Sequence, residues 1–207
     1  IAAADGFRLA VRTVPLDDPV DAPLSVIVPA RAMIELARII PSDGVVQIAA
    51  TTGKNQIMFQ APGMLMVSRL IEGQFPDYER IIPPGPETRA VLPVDELLAS
   101  VKMASVFSRD NSNIVRLEFA RDDDGNGYLD ILASAAERGD GNGRLDATIT
   151  GPDAMVAFNV IYLRDAIAAL GSGAVSIELS GGTSPGLIKP VGQDGWLYVV
   201  MPMHVQR

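Results

Sequence analysis

The chain repeats itself, and the repeat constrains its fold more than any single motif. A strand, a helix and three further strands recur at 24–70, 89–149 and 156–201. The first and third copies align at Ala37 with Ile167, Ile48 with Ile177, Gly53 with Gly182 and Val67 with Val199. A sheet with one apolar face and a helix laid on it is half a core, so two such units should pair into one domain. Three units and a leading strand at 7–14 therefore amount to one whole domain and about half of another. The reading places the missing half ahead of Ile1, in keeping with a start that is not methionine, and treats the chain as a fragment. The fold class expected is α+β, built from repeated strand–helix–three-strand units.

Local patterns supply the elements. Leu24–Val28 reads as a strand, and Pro29 opens a helix through Ile40, since proline is tolerated in a first turn. Met33, Leu36, Ala37 and Ile40 form its apolar stripe at i, i+3, i+4 and i+7, with Arg31, Glu35 and Arg38 opposite. Strands follow at 45–50, 56–60 and 64–70. Arg89–Leu92 is a short strand, Pro93 opens a helix to about Arg109, and strands follow at 115–120, 128–133 and 145–149. Val156–Phe158 leads into a third helix at 159–170, and strands at 175–180, 186–190 and 196–201 close the chain. Between the first two units, Leu70 to Pro83 is stiffened by Pro76, Pro83, Pro84 and Pro86 and reads as an extended connector.

Composition removes several functional classes. The 207 residues include no cysteine, so disulfides, thiolate metal sites and cysteine nucleophiles are excluded. One histidine, His204, leaves little scope for histidine acid–base chemistry. No stretch of about 18 uncharged apolar residues is present to cross a membrane as a helix. A net charge of −8 disfavours general phosphate binding unless positive charge is gathered on one face. The helices carry such charge away from their apolar stripes: Arg31 and Arg38, Lys102 and Arg109, and Arg164. On spacing alone a solvated helix face is the favoured account of them, whereas one shared surface would hold DNA weakly and without sequence preference.

Catalytic and metal motifs are poor. Gly171-Ser172-Gly173 and Gly181-Gly182-Thr183-Ser184 lack the lysine of a phosphate-binding loop and read as hairpin turns. Asp122, Asp124, Asn126 and Gly127 match the first half of a calcium loop, but its twelfth position is Ala133 where a bidentate glutamate is required. An acidic hairpin tip is the better account, and no metal or other cofactor is expected. Near the end, Met201 and Met203 flank Pro202 at the close of a strand. Methionines there serve either as core filler or as an adaptable peptide-binding edge.

The connector Leu70-Ile71-Glu72-Gly73-Gln74-Phe75-Pro76-Asp77-Tyr78, running on to Ile82-Pro83, resembles the bacterial DNA polymerase III beta subunit family, the replicative sliding clamps. Ala4-Asp5-Gly6-Phe7-Arg8-Leu9-Ala10, Phe158-Asn159-Val160 with Tyr162-Leu163, Ser184-Pro185 with Leu187-Ile188 and Pro190, and Tyr198 to Met203 resemble further stretches of that family, in order along the whole chain. The resemblance implies a partial middle clamp domain at 1–83 and a C-terminal domain at 84–207. It implies sheets outside, helices on an inner face around duplex DNA, a homodimeric ring when full length, a cytoplasmic, nucleoid-associated location and no catalysis by this subunit. The five basic residues named above would face DNA, and Val106 and Phe107 would meet a second subunit.

It further implies a hydrophobic groove that takes linear motifs from polymerases, the clamp loader and repair proteins. Its lining would be Gly6, Phe7, Arg8, Leu9, Pro76, Arg80, Ile81, Asn159, Tyr162, Thr183, Pro185, Val199, Val200, Met201, Pro202 and Met203, with Arg8 and Arg80 at the rim to meet acidic groups. Phe7 stands where the family carries histidine and Ala4 where it carries threonine, which predicts a greasier pocket. The tail also runs on as His204–Arg207. The alternative is a fragment of a β-rich enzyme or a dimerisation module whose active part precedes Ile1. A buried Asp–His pair or a ligated metal would favour the enzyme.

Overall fold

The computed structural model describes residues 1–16, 20, 22–41, 43–51, 53, 55–109, 112–135 and 139–203. They fall into two compact units, one of 1–14 with 78–207 and one of 15–77.

The larger unit holds two antiparallel sheets and two helices. Its strands are β1 (Ala2–Ala4), β2 (Arg8–Arg12), β6 (Thr88–Pro93), β7 (Ile114–Arg121), β8 (Gly127–Ala135), β9 (Gly139–Asp146), β10 (Thr148–Thr150), β11 (Ala154–Asn159), β12 (Ala174–Leu179), β13 (Gly186–Pro190) and β14 (Trp196–Val200). One sheet runs β1-β2-β14-β13-β12-β6-β10 and the other β11-β7-β8-β9. Helices α2 (Val94–Phe107) and α3 (Val160–Leu170) pack together. The side-chain period of two puts Ala10, Tyr198, Ile188, Ile177 and Ala90 in one cross-strand row of the first sheet. That row faces the main core, where Leu97, Val101, Leu163 and Ile167 of the helices are fully buried. Gly186 lies so close to the Phe158 ring that a Cβ there would collide with it.

The two repeats in this unit exchange strands. β6, which opens one repeat, pairs with β12 of the other, and β11, which opens the second, pairs with β7 of the first. The expected strand at 145–149 is instead divided at Ala147, because β9 belongs to one sheet and β10 crosses to the other to pair with β6. The helix expected to reach Arg109 ends at Phe107, with Ser108 as its cap.

The smaller unit is one repeat alone: α1 (Ala30–Ile39) over β3 (Gln47–Ala50), β4 (Gln56–Ala61) and β5 (Met64–Arg69), in the order β3-β4-β5. Its core is Leu36, Ile57 and Phe59, with Val26, Val28, Met33, Met64, Met66 and Leu70 packed around them. Two expectations are corrected here. Leu24–Val28 forms no strand, only a single bridge from Ile27 to Ile71, because no ladder partner lies beside it among the described residues. Of the predicted stripe, Ala37 and Ile40 are exposed, because a lone repeat covers only part of its helix.

The connector is not extended throughout. Tyr78–Ile81 makes a 3-10 turn inside the larger unit, bracketed by Pro76 and Pro83. Tyr78 and Ile82 pack over Leu9, Leu187 and Val199, on the face of the β2-β14-β13 strip that points away from the main core. That apolar contact outweighs the extended bias of the flanking prolines.

Candidate functional site

In the larger unit Gly6, Phe7, Asn159, Tyr162, Met201 and Met203 of the predicted lining lie where β2, the start of α3 and the chain after β14 meet. Asp5 and Gly6 turn the chain into β2, with Gly6 at φ +87° and the Asp5 carboxylate accepting the Phe7 and Arg8 amides. Phe7 is left 58 % exposed and stacks on Tyr162 of α3, with ring centroids 6.5 Å apart. Asn159 caps α3 by accepting the Ile161 amide at 2.9 Å, which fixes the turn that carries Tyr162. The Met201 amide donates to the Phe7 carbonyl at 2.9 Å, and the Met203 amide to the Ala157 carbonyl at 2.8 Å. Phe7 and Tyr162 therefore share one apolar surface, and the main chain holds Met201, 36 % exposed, beside Phe7.

Leu9 and Val199 are buried under Tyr78 and Ile82, so they form the floor beneath the 3-10 turn. Ile81 of the same turn is exposed, as is Arg80. Val200 points to the opposite face and is fully buried in the main core, so it reaches this surface only through its main chain. Pro185 is half-buried and Thr183 exposed in the loop before β13. Pro76 belongs to the smaller unit. His204–Arg207 lie outside the described residues.

Arg8 does not stand at a rim with its charge on offer. Its guanidinium donates to Asp5 and to Asp165 at 2.8 Å each, reaches the Tyr198 hydroxyl at 3.4 Å and lies 4.4 Å above the Tyr162 ring. Partial burial works against its charge, but the bonds from Asp165, Asp5 and Tyr198 outweigh that and raise its pKa. Burial likewise pushes the Tyr198 hydroxyl up. Two carboxylates thus answer this cation, and its work is to hold β2 against α3. Asp165 carries no signal in the sequence, and Tyr198 enters only through the closing-strand motif; Asp5, three residues before Arg8 in an Asp-Gly turn, carries a local one.

The basic residues are spread over both units. Arg31 and Arg38 lie on α1, and Arg38 pairs with Glu35 at 3.0 Å. Lys102 is exposed on α2, Arg109 is exposed beyond its end, and Arg164 on α3 meets Asp165 at 3.2 Å. Val106 is 47 % exposed, whereas Phe107 is partly buried, its ring filling the space over Gly141. At the acidic tip the Asp122 carboxylate accepts the Asp124 and Asn126 amides and the Asn126 side chain, which lower its pKa, so the turn satisfies it internally. Among the described residues no cluster of three or more His, Asp or Glu could hold a metal ion.

Known proteins resemble the chain along its whole length. Residues 1–77 match the family profile of the DNA polymerase III beta subunit central domain, and residues 79–204 that of its C-terminal domain. The chain belongs to the DNA polymerase III beta subunit family. The beta sliding clamp of Pseudomonas aeruginosa is 31 % identical over 204 residues, covering 98 % of this chain and 54 % of the relative. That of Synechococcus elongatus is 32 % identical over 209 residues, covering 99 % and 54 %. The chain therefore spans about half the length of these relatives. Among solved structures, a DNA polymerase sliding clamp from Bacillus subtilis superposes with a TM-score of 0.90 at 26 % identity, over 99 % of this chain and 53 % of its own. A Pseudomonas aeruginosa clamp bound to griselimycin gives 0.88 at 30 % identity, over 99 % and 54 %. The α+β fold expected from the repeat, and the clamp fold that the resemblance implies, is the fold observed.

Proposed function

We propose that this chain supplies part of a middle domain and the C-terminal domain (1–83 and 84–207) of a replicative sliding clamp, a non-catalytic processivity factor. Such a clamp surrounds duplex DNA without reading its sequence, acts in the bacterial cytoplasm at the nucleoid, and is a homodimer at full length, with Val106 and Phe107 at the subunit contact. Arg31, Arg38, Lys102, Arg109 and Arg164 would meet phosphates, giving weak, salt-sensitive contact. The observation that carries the reading is the match of both domain profiles in order, beside an exposed apolar surface of Phe7, Tyr162 and Met201.

That surface suits a short, exchangeable peptide from a polymerase, clamp loader or repair protein. Burying one leucine-sized side chain contributes about 1.5–3 kcal/mol, and ordering the peptide takes part of that back. Two anchors then contribute about 3–6 kcal/mol before that loss, which gives weak binding, tens of micromolar at best. Fluorescence anisotropy with a labelled apolar pentapeptide tests it: Phe7→Ala and Met201→Ala should weaken binding, and full-strength binding by both variants would place the site elsewhere.

A further inference from the structure

The outward face of β11 carries an apolar side chain that stands in solvent. Val156 and Phe158 point into the main core and are buried. Met155 and Ala157 point the other way, since side chains alternate along a strand. Ala157 is only 8 % exposed, whereas Met155, one step along the same face, is 50 % exposed. A solvated methionine adds little to the core, and its flexible thioether suits contact with varied partners.

Two segments bring Met155 beside the surface of Phe7, Tyr162 and Met201. β11 is the edge strand of its sheet, and the Met203 amide donates to the Ala157 carbonyl at 2.8 Å, so the chain after β14 lies against that edge. Gly182 packs on the Met155 carbonyl so closely that a Cβ there would stand 3.0 Å from it. The loop that holds Gly182 also carries Thr183 and Pro185 of the predicted lining. Met201 to Met203 and Ala157 to Met155 are each about 7 Å of extended chain, and the step between strands is about 5 Å. Met155 therefore lies at most about 20 Å from Met201, a span of about six extended residues.

One exposed methionine is far smaller than the roughly 1,200–2,000 Å² that a stable protein–protein contact buries. It fits a chain that is already held next to it. We infer that the peptide surface continues past Met203 to Met155, which takes an apolar side chain of a longer peptide. The inference rests on the peptide reading given above and adds a third anchor to it. A partner with an apolar residue up to about six positions beyond its two anchors gains this contact, and a shorter motif does not.

Fluorescence anisotropy on the 207-residue chain tests it. The labelled apolar pentapeptide is compared with two longer forms, one extended at each end by alternating serine and leucine over the same span. Partial burial of one leucine should make one of the longer forms bind about fivefold tighter. Met155→Asp should bring that ratio back to about one, and Met155→Leu should keep it, because the contact is apolar. Met155 is exposed, and circular dichroism with Trp196 fluorescence verifies that both variants are folded. In methionine-methyl NMR spectra, Met155 should shift saturably with that longer peptide and stay in place with the pentapeptide. Equal affinity for all three peptides, a gain that survives Met155→Asp, or an unmoved Met155 methyl would overturn the inference and leave the shorter peptide site intact. Absence of binding by any of the three would overturn the peptide reading and this extension together.

Discussion

Replacing Arg8 with glutamine separates two accounts of the site. If Arg8 served as a rim cation for a ligand, the substitution would cost binding and leave the free protein untouched. The structure places it otherwise: its side chain is 28 % exposed, while Asp5 and Asp165 are 44 % and 42 % exposed. Solvent screening of such carboxylates restricts each ion pair to about 0–1 kcal/mol, and the guanidinium over Tyr162 adds about 0.5–1 kcal/mol. Taking the lower half of each range, Arg8→Gln should destabilise by about 0.5–2 kcal/mol. Urea unfolding followed at the single tryptophan, Trp196 on β14 next to β2, measures this directly. In a double-mutant cycle Asp165→Asn should account for part of the loss, because the pair is in contact. Unchanged stability with complete loss of peptide binding would refute the structural role and restore the rim.

The same cluster sets an acid limit. Burial raises the Asp5 pKa, but hydrogen bonds from Arg8 and the Phe7 amide lower it further, so the net shift is down. Its contribution is therefore complete above the unfolded value of about 3.9 and is lost as pH falls through the lower folded value. Asp5→Asn should flatten part of the fall in unfolding free energy below about pH 4, and an unaltered pH profile would contradict this. Phe107→Asp should cost about 2 kcal/mol or more, since its ring packs over Gly141, whereas Val106→Asp should stay within about 0.5 kcal/mol; equal unfolding free energies for the two variants would sink that distinction. Arg31→Glu with Arg38→Glu should reduce DNA binding and lower the slope of log affinity against log salt by about two. A clear drop in melting temperature for that pair would instead make these arginines structural.

Period and repeat made much of the fold legible. The strands β7, β8 and β14 and the helix α3 lie close to where the sequence places them, and the repeat announced the paired units. Local pattern could not tell whether a stripe would be covered: Ala37 and Ile40 look in sequence like Ile167 and Leu170, and only the presence of a second repeat decides burial. Nor could it show that the chain changes sheets at Ala147, since pairing with β6 is a tertiary choice. At the site, the aromatic contact of Phe7 and Tyr162 joins residues that the family motifs had named separately. The fate of Arg8 was hidden, because Asp165 is 157 residues away and carries no local sign of the contact.

The central claim is that a partner peptide binds the surface between β2, α3 and the chain after β14. Methyl NMR on isoleucine-, leucine-, valine- and methionine-labelled chain, titrated with an unlabelled apolar pentapeptide, tests it most directly. The account predicts saturable shifts at Met201, Ile81, Leu9 and Val199, abolished by Phe7→Ala with Tyr162→Ala. Shifts confined to Met103 and Val106 on α2, or saturable binding that leaves Met201 and Ile81 unmoved, would contradict it.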